Sequence, residues 1–293
     1  MDVARFSVGQ VIRANSCTSF ASGKGINAAF AAATLGAPSH VYCIVGEGDV
    51  CEFTNLHPLI TCNAAIVPGL TRTNVTISQE KINLICHVQT DSSKIDHDFA
   101  ESIVEQFIRD VTDGDVVVVS GSLPVGVRQE LLTGALRQTA KKNAIIIVDV
   151  DPVYWSSIDW GVVHWAKPNL EELSRYIGRE LLSKSDICRA VLDCHLAIRT
   201  VVSLGESGAI LVRRERDDWA FGRTRIDFTP TSLSIGCGDS MVGGFAAALS
   251  RGCADEEVLK YGLSAGCANL AGVAPGRIDR VLFDLALSST VVT

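Results

Sequence analysis

The sequence predicts an α/β fold, a doubly wound, mostly parallel sheet flanked by helices, with a small β-sheet lid and one domain spanning residues 1–293. Three observations lead there. Short apolar runs rich in β-branched residues, such as DVVVV (115–119) and AIIIVDV (144–150), read as strands buried on both faces. Longer stretches with helical spacing of apolar residues, 98–111 and 128–142, alternate with them, and strand–helix–strand repetition argues for a parallel sheet. Period-two alternation at 74–78 and 83–88, around a turn at 79–82, departs from that pattern and reads as an antiparallel pair outside the main sheet.

In chain order, residues 5–11 are expected to add a strand to this lid, which then covers about 4–12 and 72–89. An alanine-rich helix follows at 28–35 and a strand at 40–45. Beyond the runs already named, strands are expected near 162–165 and at 200–204, and a helix at 241–249. A lid over the carboxyl ends of the strands would exclude water from a ligand bound there.

The composition excludes several classes. Apolar residues make up 47% and charged residues 20%, as in a globular protein with a sizeable core. A net charge of −7 argues against nucleic acid or an anionic membrane as partner, though not against a small phosphorylated ligand. Ten cysteines form no C-x-x-C pair and six histidines no H-x-x-x-H spacing, so neither a zinc site nor a disulfide framework is expected. No leader or membrane-length apolar stretch is visible, and the expected location is the cytoplasm.

Two segments carry chemistry. In SIGCGDSMVGGF (234–245) a Gly-x-Gly turn opens a helix, which leaves backbone N–H groups facing an anion at the positive end of the helix dipole. Asp239 at its mouth is placed to accept a proton from an attacking hydroxyl. Taken alone, the segment also reads as a tight turn with Asp239 as a helix N-cap. In SGKGIN (22–27) a Gly-Lys-Gly loop before a helix again offers amides, now with an ammonium beside them. It is not a Walker A loop, and it also reads as a plain helix entry.

SGKGIN, SGSLPVG (120–126), AKPNLEEL (166–173), VSLGESGA (202–209) and SIGCGDSMVGGF, in this order, resemble the signature segments of the PfkB (ribokinase-like) carbohydrate kinases. The set covers nearly the whole chain and is most similar to the branch acting on fructose 1-phosphate, tagatose 6-phosphate or fructose 6-phosphate. The resemblance implies an ATP- and Mg²⁺-dependent kinase with Asp239 as base and the amides of Gly236, Cys237 and Gly238 as an anion hole. It implies that Asp2, Gly23, Lys24, Gly25, Asn27, Arg72, Ser120 and Ser122 bind the sugar phosphate. Lys167, Asn169, Ser203, Gly205, Gly208, Gly238 and Asn269 are implied on the ATP side, with Asn169 and Glu172 reaching Mg²⁺ through water. Cys237 stands where the family usually has alanine, and a thiol beside the phosphates is expected to invite oxidation or alkylation. Leu233 and Ser234 replace a polar pair, which argues against a monovalent-cation site there.

The amino terminus departs from the family. Met1-Asp2-Val3 corresponds to the end of the family's first strand, with Asp2 matching its Asp; either the natural start lies further upstream or the main sheet lacks a central strand, and Asp2 is expected to be frayed. Two other functions remain open at this point: a ribokinase- or nucleoside-kinase-like enzyme on an unphosphorylated substrate, and a non-catalytic sugar-binding regulator. Exposed lid strands favour pairing into a homodimer.

Overall fold

Residues 1–3, 9–79, 84–90, 94–226 and 234–293 are described by a computed structural model. The chain runs β1 (Asp2–Val3), β2 (Ala14–Ser16), α1 (Lys24–Thr34), β3 (Ser39–Gly46), β4 (Ile60–Val67), β5 (Asn74–Gln79) and β6 (Leu84–Gln89). It continues through α2 (His97–Asp110), β7 (Val116–Gly121), α3 (Glu130–Ala140), β8 (Ile145–Val150), β9 (Trp165–Ala166), α4 (Leu170–Ile177) and α5 (Lys184–Asp193). The last third is β10 (Arg199–Ser203), β11 (Ala209–Arg213), β12 (Asp218–Thr224), α6 (Cys237–Leu249), α7 (Asp255–Ala268), α8 (Arg280–Ser289) and β13 (Thr290–Val292). No helix among the described residues is long and apolar enough to cross a membrane.

The main sheet has seven strands in the order β13-β12-β11-β10-β9-β8-β7. Strands β7 to β10 are parallel, and β11 to β13 join antiparallel. The apolar run of β8 shows why it has no polar face. Ile146, Val148 and Val150 pack on one side with Leu136 of α3 and Leu173 of α4. Ile147 points the other way, into Met241, Val242 and Phe245 of α6. A strand between two helix layers needs apolar residues on both faces, which is the doubly wound arrangement.

Helix α6 is pressed between α1 and α7. A Cβ at Gly243 would run into the Ala28 backbone oxygen, and one at Gly244 would lie 2.6 Å from the Tyr261 oxygen. These glycines let three helix backbones approach closely, and so bring the first turns of α1 and α6 side by side.

Strands β3 and β4 pair in parallel as a separate two-stranded sheet, and no described strand bridges them to β7. Helix α1 contacts both β3 and β7. The lid is a four-stranded sheet in the order β2-β1-β5-β6.

Four expectations are corrected here. Residues 9–13 are turn and coil rather than strand; the lid strands are 2–3 and 14–16 instead, and 4–8 lie outside the described residues. Most of the turn expected at 79–82 lies outside them too. Asp2 is not frayed, because β1 pairs with both β2 and β5, and the Ser78 N–H donates to the Met1 oxygen at 2.9 Å. Helix α6 starts at Cys237 rather than near 241, and α1 at Lys24 rather than 28, so both glycine motifs form the first turns of helices.

Candidate active site

The parallel strands deliver their carboxyl ends to one side of the sheet, where ligands of such folds bind. Ser120 and Gly121 end β7, Asp149 and Val150 end β8, Lys167 follows β9, and Ser203 ends β10. The first turns of α1 and α6 face this row.

Gly236 is the N-cap of α6 with a left-handed φ of 82°, and a Cβ there would lie 2.7 Å from Pro275 Cβ. Only glycine fits this turn. The Cys237 N–H donates to the Ser234 oxygen at 3.3 Å, whereas those of Gly236, Gly238 and Asp239 have no acceptor among the described residues. Of the three amides expected to form the anion hole, Cys237 is thus the engaged one, and Asp239's own amide joins the open set.

Asp239 sits in the first turn of α6, but no side chain caps this helix. Its Oδ2 instead accepts from Asn27 Nδ2 at 2.8 Å, across the gap from α1. The N-cap alternative is therefore overturned: the N-cap is Gly236, and the carboxylate bonds across to α1 instead of back to its own helix. Burial raises the Asp239 pKa above its ordinary value, with Asp149 adding to the rise, while Asn27, Lys24 and Lys167 partly oppose it. A carboxylate so destabilised in its charged form is a better proton acceptor than an exposed one.

Asp149 is the central residue that sequence reasoning missed. It is 3% exposed, and its carboxylate meets Lys167 Nζ at 3.3 Å and Lys24 Nζ at 3.5 Å, with Ser120 Oγ donating at 3.4 Å. A signal was available: a lone carboxylate at the end of an otherwise apolar buried strand. Lys167 is buried, and a Cβ on Gly238 would lie 3.3 Å from its ammonium, so this cation stands directly at the α6 turn. Burial would lower the Lys24 pKa, but Asp149, Glu172 and Asp239 outweigh it and raise it, which keeps this partly exposed lysine protonated.

Arg72 Nη1 donates to Ser122 Oγ at 3.1 Å, so the lid base and the loop after β7 meet at two residues expected on the sugar-phosphate side. Asn27 is buried, donating to Asp239 and accepting from Ser22 Oγ at 3.0 Å. Gly23 is the N-cap of α1, and Gly25 has no atom within 4 Å of where a Cβ would stand. The Asp2 side chain lies outside the described residues, as does Leu233.

On the other flank, Asn169 and Glu172 form a reciprocal capping box. The Glu172 N–H donates to Asn169 Oδ1 at 2.7 Å, and the Asn169 N–H to Glu172 Oε2 at 2.8 Å. The Ser203 N–H donates to the Pro168 oxygen at 3.0 Å, and the Leu204 N–H to the Gly208 oxygen at 2.8 Å. Gly205 and Gly208 both take left-handed φ, 59° and 104°.

Asn269 does a different job from the expected nucleotide contact. It is 1% exposed, and its oxygen accepts from Ser240 Oγ at 3.0 Å and the Gly276 N–H at 2.9 Å. Its Nδ2 donates to the Ile235 oxygen at 2.8 Å and to Cys237 Sγ at 3.5 Å. Every position of the amide is used in holding the α6 turn, so none remains for adenine or ribose. The Cys237 thiol is corrected likewise: burial pushes its pKa up to about 11, which leaves little thiolate for oxidation or alkylation.

One buried and one partly exposed lysine, open amides and a carboxylate of raised pKa gather at the strand ends, an arrangement chemically suited to phosphoryl transfer. Residues 1–275 match the pfkB family carbohydrate kinases, and the chain belongs to that family. It is 26% identical over 298 residues to 1-phosphofructokinase of Haemophilus influenzae, covering 99% of this chain and 92% of that enzyme. It is 33% identical over 173 residues to ATP-dependent 6-phosphofructokinase isozyme 2 of Escherichia coli, an alignment covering 56% of this chain and 53% of that enzyme. The fold superposes on phosphofructokinase-2 from Escherichia coli in complex with substrates and products, with a TM-score of 0.86 at 25% identity over 98% of this chain and 94% of that one. A ribokinase from Thermotoga maritima superposes with a TM-score of 0.74 at 19% identity, over 98% of this chain and 94% of that one.

Proposed function

We propose that this chain transfers the γ-phosphoryl group of ATP to a hydroxyl of a phosphorylated ketohexose: fructose 1-phosphate, fructose 6-phosphate or tagatose 6-phosphate. The observation that carries this reading is the uncapped first turn of α6. There Asp239 faces the site beside open amides and the Lys167 ammonium.

The residues act in sequence on a bound pair of substrates. Asp239 draws the proton from the sugar hydroxyl as it attacks, and Asn27 keeps the carboxylate aimed. Negative charge spread over the transferring group is met by the α6 amides and dipole and by Lys167, while Lys24 stands on the acceptor side. Asp149 holds the two lysines in place and limits their mutual repulsion. Arg72 offers a guanidinium fork to the phosphate already on the sugar, which favours a phosphorylated substrate over ribose or a nucleoside.

Among the described residues no three His, Cys, Asp or Glu side chains cluster as a metal-holding group. That donor set suits Mg²⁺ kept mainly by nucleotide phosphates and its own waters, with Glu172 reaching it through water. When bound, the ion would neutralise phosphate charge. A homodimer through the lid belongs to the same reading, since β6 ends the lid sheet with Val88 exposed.

The test is ADP release with Mg-ATP and each of the three ketohexose phosphates, against fructose, ribose and nucleosides. Turnover confined to the phosphorylated sugars supports the proposal. Equal or greater turnover of an unphosphorylated sugar, or sugar binding without any turnover, sinks it.

A further inference from the structure

We propose that Asp49 is a positioning residue for sugar-phosphate recognition, holding Arg72 in place through the backbone of Thr71; this rests on the reading of Arg72 given above. The loop 68–73 joins β4 of the small parallel sheet to β5 of the lid, and Arg72 lies within it. A loop between a core strand and a lid has no reason to be rigid, yet three hydrogen bonds from one short segment pin this one. The Thr71 N–H donates to Asp49 Oδ2 at 2.7 Å. The Gly46 N–H donates to Thr71 Oγ1 at 3.0 Å, and the Gly48 N–H to the Gly69 oxygen at 3.3 Å.

The packing is as tight as the bonding. A Cβ on Gly46 would lie 2.5 Å from both the Gly69 oxygen and the Thr71 nitrogen, and one on Gly48 would lie 2.9 Å from Leu70 Cδ2. The two glycines allow the turn after β3 to lie directly against the loop. Asp49, in the 3-10 turn Glu47–Phe53 that follows, then reaches the Thr71 amide with a charge-assisted bond. On the other side of Arg72, the Thr73 N–H donates to Thr90 Oγ1 at 3.1 Å. Arg72 is therefore fixed at both neighbours, and its exposed side chain reaches Ser122 across the site. Asp49 touches no reacting atom in this account. It acts by removing the loop's freedom before the ligand arrives, which lowers the ordering cost of binding.

The experiment measures binding of fructose 6-phosphate, fructose 1-phosphate and ATP by calorimetry to the full chain and its variants. Asp49→Ala and Thr71→Val are each expected to weaken binding of the phosphate esters about two- to tenfold, the factor carried by one hydrogen bond, with ATP binding unchanged. Asp49→Asn keeps an acceptor oxygen and is expected to bind almost as the wild type does. Arg72→Ala is expected to weaken the same ligands, and Asp49→Ala added to it to weaken them no further. Wild-type affinity in both Asp49→Ala and Thr71→Val, with Arg72→Ala impaired, overturns the clamp and leaves the role of Arg72 standing. An equal loss of ATP binding overturns it as well, by showing a general structural role. Unchanged binding in Arg72→Ala overturns both.

Discussion

Helices α1 and α6 pack closely, both begin at glycine turns, and their first turns are joined by the Asn27–Asp239 hydrogen bond. Their chemistry is nevertheless opposite. The α1 turn presents a cation, Lys24, and spends its buried amide Asn27 on structure. The α6 turn presents open amides and a carboxylate held above its ordinary pKa. Their glycines differ too: Gly236 is forced by a left-handed backbone against Pro275, whereas Gly25 faces open space. A glycine turn before a helix is thus one local device with two uses, and which use applies depends on what the neighbouring turn supplies.

The division of labour can be broken from either side. Asp239→Asn should lower kcat about a hundred- to ten-thousandfold while ATP affinity is retained, since it removes the proton acceptor and leaves the amides. A variant with near-normal turnover would end Asp239's assignment as base. The same variant also tests the sign of the pKa shift. A raised carboxylate pKa makes a stability contribution that is fully present below the unfolded value and lost as pH rises through the folded value. Asp239→Asn should therefore melt at or above the wild-type temperature near neutral pH, with the difference shrinking as the pH falls toward the ordinary carboxylate value.

Asp149→Ala should destabilise the chain by about 3 kcal/mol or more in urea unfolding, because it strands the buried Lys167 without its counter-charge. A loss well under about 1 kcal/mol would mean that water replaces the carboxylate there.

The two glycines sharpen the contrast. Gly236→Ala should cost about 1–3 kcal/mol, through backbone strain and the Pro275 contact. Gly25→Ala should leave stability unchanged or raise it by up to about 1 kcal/mol through helix propensity. Any loss of sugar affinity in Gly25→Ala then reports ligand contact, and an unchanged affinity removes Gly25 from the sugar side. The smallest effect is expected at the joint between the helices. Asn27→Ala removes a bond that favours ionised Asp239, so the acidic limb of kcat/KM should move to higher pH. A limb that stays in place would show that Asn27 does not tune the base.

Much of this was legible in the chain itself. The apolar runs of β7, β8 and β10 announced strands buried on both faces, because a doubly covered strand leaves no polar alternation to misread. The ordered signature segments announced the kinase family. The strand expected near 162–165 is the two-residue β9 at 165–166, and the lid strand at 14–16 was not legible, being too short for periodicity to register.

Asp149 and Asn269 show the limit more clearly. One is a single carboxylate that matters because it meets two lysines 125 and 18 residues away along the chain; the other was expected at the nucleotide but is consumed behind the α6 turn. Local pattern determined the strands, the helices and the glycine turns, since those depend on neighbours within a few residues. Which amides stay open, which carboxylate is primed and which amide is used up were decided only when distant segments packed together, because burial and charge act through space rather than along the backbone.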